Sequence, residues 1–132
     1  MFFEQMHPSW QAAIPDSKAI LDALEAKLEQ RGTHYLPEKN LVMRAFEAPL
    51  DEIRVVIIGQ DPYPTVGHAI GLSFAVAAET KPLPRSLNNI LRELGDDLGK
   101  SIERNGDLSK WADRGVFLLN RHLTTDAADA GA

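Results

Sequence analysis

The sequence of 132 residues contains no cysteine, and only 7% of its residues are aromatic. Without cysteine there is no disulfide framework, no thiolate metal site and no cysteine nucleophile. Its unbroken apolar stretches, such as residues 55–58, are far shorter than the roughly 20 residues that cross a bilayer. The N-terminus has no basic region followed by a long apolar run, so it does not resemble a secretory signal. We therefore expect an intracellular, cytoplasmic monomer without a membrane segment.

Basic residues are also few, with 14 Lys and Arg against 19 Asp and Glu and a net charge of -5. This balance argues against a protein that coats nucleic acid by bulk attraction, because that requires clustered basic side chains. It leaves open an enzyme that touches a few phosphates through backbone amides and hydroxyls. Basic residues from Lys81 onward form either a mixed, solvated surface or a weak positive rim around a site. The four histidines are not spaced as ligand pairs, so we expect no metal and no cofactor.

Apolar content of 44% and charged content of 25% are typical of a globular protein, and the length predicts a single domain over residues 1–132. Helical spacing of apolar residues predicts a helix over residues 16–30. A second helix is expected over residues 37–46. The apolar residues of the first helix are expected in the core; they are Ile20, Leu21, Leu24 and Leu28.

Three strands are predicted between further helices. Residues 54–60 are β-branched and apolar on both faces, which is typical of a buried strand in a parallel sheet. Residues 71–76 alternate and predict a second strand, and residues 116–119 predict a third that finishes at Asn120. Helices are expected from Ser86 to about Gly99 and, after Asp107 as the cap, to Arg114. This alternation predicts an α/β fold, a three-layer α/β/α sandwich with a mostly parallel central sheet.

Polar residues follow two of these strands at their carboxyl ends, where open α/β sheets bind ligands. The first strand continues into residues 59–64, Gly-Gln-Asp-Pro-Tyr-Pro, and the third ends at Asn120. Pro62 and Pro64 fix φ near about −65° on either side of Tyr63, so its ring stands on a stiff loop. Taken alone, Asp-Pro is equally typical of a turn whose Asp caps a helix or binds its own backbone, and Asn120 is typical of a turn.

Several short segments, in the right order and with the right gaps, closely resemble the main type (family 1) of uracil-DNA glycosylases. The resemblance covers nearly all of the chain. The segments are the water-activating motif at residues 59–64, the next segment at 71–74, the Pro-Ser phosphate-binding loop at 82–87 followed by 89–90, the strand motif at 115–120 followed by 123–124, and an N-terminal segment at 7–10.

The resemblance implies a role for each matched residue. Asp61 would activate the attacking water and stabilise the cationic sugar, and Gln60 would offer its backbone amide to a uracil carbonyl. Tyr63 would exclude the 5-methyl group of thymine, and Phe74 would stack on the flipped base. Asn120 would hydrogen-bond the uracil edge and reject cytosine. Two further residues would press on DNA phosphates beside the lesion, namely Pro84 and Ser86.

General chemistry agrees with those roles. A stacked base cannot be hydrolysed, so it must be extruded at a cost of a few kcal/mol, of which stacking on an aromatic ring returns about 1–3 kcal/mol. A carboxylate suits an oxocarbenium-like centre, and a side-chain amide offers both a donor and an acceptor to uracil. One methyl group is worth only about 1–3 kcal/mol by attraction, so thymine must be excluded by collision.

One element of the family pattern has no match, so we expect the chain to be truncated at its C-terminus. This element is a C-terminal His-Pro-Ser segment, whose histidine stabilises the departing uracil anion. The same letters at residues 7–9 precede the first helix and receive no catalytic role. His122 matches no catalytic position and is expected to be a surface or loop histidine.

Three hypotheses follow. In the first, the sequence is part of a DNA repair glycosylase that releases free uracil from single- or double-stranded DNA. In the second, it is the whole molecule and at most a weak DNA or uracil binder, because one lost donor to a developing anion costs about 10²–10³ in rate. In the third, it is a nucleotide-sugar hydrolase on the same fold, which would act on free nucleosides and not on DNA.

Overall fold

Two strands of similar composition form a parallel pair. The computed structural model describes residues 1–32 and 34–127. Strands β1 (Tyr35–Leu36) and β4 (Thr125–Asp126) form a short antiparallel pair. Strands β2 (Val55–Gly59) and β3 (Val116–Asn120) pair in parallel, with the last residue of one opposite the last residue of the other. The predicted α/β class with a parallel sheet is confirmed.

Three of the helices begin and end within a few residues of the predicted bounds. Gly32 and Gly99 end two of them with φ of 91° and 64°, a backbone region that glycine occupies without a Cβ penalty. Asp107 stands two residues before the last helix, and its carboxylate accepts from the amide of Ser109 at 2.9 Å. The N-terminal pair was not expected from the sequence. The helices are α1 (Phe2–Gln5), α2 (Pro8–Ala13), α3 (Ser17–Arg31), α4 (Arg85–Leu98) and α5 (Ser109–Asp113).

Two predicted elements are wrong. In place of a helix over residues 37–46, the chain forms separate 3₁₀ turns at Lys39–Leu41 and Arg44–Glu47. Residues 71–76 do not form a strand, and only Val76 makes an isolated bridge, to Ala69. Gly71 and Phe74 have φ of 84° and 64°, which turns the backbone away from an extended course.

Helical segments lie on both faces of β3. Phe117 stacks on Trp10 of α2 at a centroid distance of 5.1 Å and meets Phe46 edge-on at 5.4 Å. Leu118 is buried and points to the opposite face, and it shares one core cluster with Phe117 and with Leu87 and Leu91 of α4. These contacts produce the predicted layered arrangement around β3.

Burial differs from the prediction in two places. β2 is not a buried strand among the described residues, because Val55, Val56 and Ile58 are 50%, 56% and 57% exposed. In α3, Ile20 and Leu24 are exposed, whereas Leu21 and Leu28 pack against a second cluster. That cluster is formed by Phe2, Met6, Val42 and Met43. A helix covered on one side buries only one stripe of its apolar residues.

Among the described residues, no helix is both long and apolar enough to cross a bilayer. A single domain over residues 1–132 stays a prediction, of which residues 33 and 128–132 lie outside the described ranges.

Candidate active site at the strand ends

The carboxyl ends of β2 and β3 bring Gln60, Asp61 and Asn120 to one end of the sheet. Gly59 lies opposite Asn120 in the parallel register. Beyond the strands the two segments stay paired, because the amide of Arg121 donates to Gly59 O at 3.0 Å and that of His122 to Gln60 O at 2.9 Å. Asp61 and Asn120 therefore lie at the same end of the sheet, as the sequence predicted.

Gly59 is required for the close approach of the Asn120 side chain. A Cβ at position 59 would overlap Asn120 Oδ1 and would lie 2.9 Å from Ser73 Cβ. Ser73 is fully buried, where its amide donates to Leu118 O at 3.1 Å and its hydroxyl to Ile57 O at 3.3 Å. These bonds hold residues 71–74 against the ends of both strands.

A hydrogen bond joins the two aromatic residues predicted for the site, Tyr63 and Phe74. The Tyr63 hydroxyl donates to the carbonyl of Phe74 at 2.9 Å, and burial raises the pKa of this phenol to about 12. Phe74 has φ of 64°, which is rare for a residue with a large side chain and occurs most often at functional sites. Pro62 and Pro64 restrict the backbone on either side of Tyr63, so both aromatic residues have fixed positions.

Asp61 is almost completely covered and has a partner that the sequence analysis missed. Its side chain is 11% exposed, and Asp61 Oδ1 lies 2.6 Å from Nδ1 of His122, a side chain that is 50% exposed. His122 is a loop histidine, as expected, but its ring reaches the site. The contact follows from the parallel register, since Asp61 and His122 each lie two residues beyond the paired ends of β2 and β3.

The remaining predicted residues lie elsewhere. Pro84 is the cap of α4 and Ser86 is exposed in its first turn, and none of the contacts that fix the strand-end site involves either one. Nδ1 of His7 accepts from the amide of Ser9 at 3.2 Å, so this histidine caps α2.

A cavity of about 570 Å³ lies at the opposite end of the parallel pair, where β3 begins. Arg44, Glu52, Arg114 and Gly115 are among the residues that line it. None of the predicted site residues lines this cavity. Ligands of open α/β sheets bind at the carboxyl ends of the strands, so we place the site at the ends of β2 and β3 rather than in the cavity. Within the described ranges, no group of three or more His, Asp or Glu side chains converges as a metal site.

Curated relatives agree with the motifs. The chain is 59% identical over 124 residues to uracil-DNA glycosylase of Mycobacterium tuberculosis and 50% identical over 125 residues to that of Mycobacterium ulcerans. Both alignments cover 92% of the chain and 55% of the relative. The chain belongs to the uracil-DNA glycosylase family. It spans about half the length of the curated glycosylases it matches, and no protein-family model matches it.

Solved structures agree with the fold. The structure superposes on the crystal structure of mimivirus uracil-DNA glycosylase with a TM-score of 0.85 and 31% identity, over 100% of this chain and 52% of that one. The uracil-DNA glycosylase of Nitratifractor salsuginis matches with a TM-score of 0.60 at 20% identity, which supports the fold alone.

Proposed function

We propose that this chain carries the uracil pocket and the water-activating carboxylate of a uracil-DNA glycosylase. The reaction is hydrolysis of the N-glycosidic bond of uracil in DNA, which releases free uracil for base excision repair. The observation that carries the proposal is the pairing of Gly59 with Asn120, since it sets a carboxylate and a side-chain amide at one end of the sheet. The names of the curated relatives support the same reaction.

In this reaction Asp61 orients the water that attacks the sugar carbon. The carbon–nitrogen bond breaks with its electron pair leaving on uracil, and the carboxylate stabilises the cationic sugar. The water oxygen bonds to the sugar carbon as its proton passes to the Asp61 carboxylate, and the released uracil anion takes a proton from solvent. Asp61 is suited to this because its side chain is only 11% exposed, and fixed charges act more strongly where water is excluded. The backbone amide of Gln60 binds a uracil carbonyl. Water is the only co-substrate required, and the reaction needs no cofactor.

Recognition of uracil against the other pyrimidines falls to three side chains. Phe74 stacks on the extruded base, and Tyr63 occupies the space of the thymine methyl group. The Tyr63 ring cannot move aside easily for a methyl group, because its hydroxyl donates a hydrogen bond to the Phe74 carbonyl and prolines flank it. Asn120 pairs with the uracil edge, and its Oδ1 is held directly over Gly59.

The partner in this proposal is uracil-containing DNA, single- or double-stranded. Pro84 and Ser86 contact its phosphates at the start of α4, where a hydroxyl and free backbone amides suit an anion. With a net charge of -5, binding depends on such local contacts rather than on bulk attraction. The protein acts as a monomer in the cytoplasm.

The test is uracil release from single-stranded DNA that holds one uracil, measured as strand cleavage at the abasic site. The 132-residue chain is expected to release uracil at an impaired rate, and Asp61→Asn should lower that rate further, by about 10² or more. Asp51→Asn, which removes an equal charge from an exposed position outside the site, should leave the rate unchanged. Equal rates for the wild type and Asp61→Asn would contradict the proposal.

A second candidate function is binding without turnover. It is favoured by the exposure of Val55, Val56 and Ile58 on β2, since an uncovered sheet leaves the site less rigid. The same DNA distinguishes the two: this candidate predicts no release, together with uracil-dependent binding that Asn120→Ala abolishes.

A further inference from the structure

His122 is held beside the candidate active site by the backbone itself. Its amide donates to Gln60 O at 2.9 Å, one residue beyond the bond from Arg121 to Gly59 O at 3.0 Å. The segment after β3 therefore runs alongside the segment after β2 for two further residues. This pairing brings position 122 next to position 61 whatever side chain stands there.

The imidazole makes a directed contact with the nearly buried carboxylate. Nδ1 of His122 lies 2.6 Å from Oδ1 of Asp61. An ionised carboxylate only accepts hydrogen bonds, so Nδ1 carries the hydrogen and donates it. In a neutral ring the other nitrogen, Nε2, is then without a hydrogen. Hydrogen bonds to an ionised acceptor are roughly twice as strong as neutral ones, so this contact fixes the carboxylate.

We propose that His122 is a positioning residue for Asp61 in the glycosidic hydrolysis proposed above, on which this inference rests. The imidazole engages Oδ1 and fixes the rotation of the carboxylate, so that Oδ2 is left to the attacking water. A carboxylate free to rotate would spend part of its time turned away from the water, and small misplacements of a reacting group cost up to about 10²-fold in rate. The half-exposed ring itself does not need to touch the substrate.

The hydrogen bond can be tested without any activity measurement. Long-range ¹H–¹⁵N spectra at about pH 9, where an ordinary imidazole is neutral, report which ring nitrogen carries the hydrogen. We expect the Nδ1–H form for His122 in the wild type and its loss in Asp61→Ala. His34→Val, a change at an exposed histidine near β1, should leave the His122 signals unchanged. An Nε2–H form in the wild type would overturn the pairing. An Nδ1–H form that persists in Asp61→Ala would overturn it as well.

The positioning role is tested by single-turnover uracil release. His122→Val removes the donor and should lower the maximal single-turnover rate constant by about 10- to 100-fold, with the protein concentration that gives half of that rate unchanged. His122→Asn keeps an N–H donor near the place of Nδ1 and should restore most of the rate, while His34→Val should match the wild type. Release by His122→Val at the wild-type rate would overturn the role. If the wild type itself releases no uracil, the positioning role falls together with the proposed function, while the spectra still decide the hydrogen bond.

Discussion

The two strands of the parallel sheet, β2 and β3, have similar apolar sequences and very different surroundings. In β3, Phe117 and Leu118 are buried, whereas in β2 Val56 and Ile58 are more than half exposed. Rings from α2 and a 3₁₀ turn cover Phe117, while among the described residues β2 has only β3 as a sheet neighbour. The carboxyl ends of both strands nevertheless lie side by side and stay hydrogen-bonded to each other beyond Gly59 and Asn120. Stability therefore depends on the faces of β3, and the candidate site depends on the ends of both strands.

The largest effect is expected from truncating β3 on its buried face. Leu118→Ala should lower the free energy of unfolding by about 2–5 kcal/mol, because it removes a fully buried side chain and leaves a cavity. Ile58→Ala is the matched change on β2 and should cost less than about 1 kcal/mol. Urea denaturation followed by circular dichroism measures both. Equal losses would show that the exposed face of β2 contributes as much as the buried face of β3.

The next effect concerns the point where the strand ends meet. Gly59→Ala should destabilise the protein by about 1–3 kcal/mol, because the new methyl group overlaps Asn120 Oδ1 and crowds Ser73. In an Asn120→Ala background the same change should cost less, and a double-mutant cycle measures this coupling. Strictly additive costs would mean that Asn120 does not lie over Gly59.

A smaller effect should appear only at high pH. Burial raises the pKa of Tyr63 to about 12 in the folded protein, from the ordinary phenol value of 10.0. The unfolded chain thus loses this proton at lower pH than the folded chain, so the stability that Tyr63 contributes is complete below about pH 10 and declines towards pH 12. Tyr63→Phe should lack this part of the decline. Identical unfolding curves for both proteins across that range would contradict the burial of the phenol.

The smallest effect is expected on the exposed face of β2. Replacing Val56 and Ile58 by Thr keeps β-branching and should change the free energy of unfolding by less than about 1 kcal/mol. It should also reduce binding of an apolar fluorescent dye, because an exposed apolar patch on a sheet edge attracts such ligands. A loss of stability close to that of Leu118→Ala would mean that this face is covered in solution.

The periodicity of apolar residues and the positions of glycines predicted the helices and strands that short stretches of sequence determine. Helical spacing and Gly99 gave α4, and the apolar run before Gly59 gave β2. The prediction of a strand over residues 71–76 was wrong, because an alternating pattern does not reveal the positive φ at Phe74, which tertiary contacts impose. Exposure of Ile58 could not be read from composition, since hydropathy does not say which neighbours a strand has.

The same limit applies to the site. The motifs placed Asp61 and Asn120 at strand ends, and a parallel sheet brings such ends together. The contact of His122 with Asp61 was not predicted because it depends on backbone pairing beyond the strands. The pairing register of β2 and β3, rather than the residue types, identifies the contact between His122 and Asp61.

The central claim is that the carboxyl ends of β2 and β3 form one uracil site. Titration of the ¹⁵N-labelled chain with free uracil, followed by NMR, tests it most directly. We expect shifts in the backbone amide of Gln60 and the side-chain amide of Asn120, with none at Gly115 and Val116, where the 570 Å³ cavity opens. Shifts confined to that cavity, or none at Gln60 and Asn120 at saturating uracil, would contradict it.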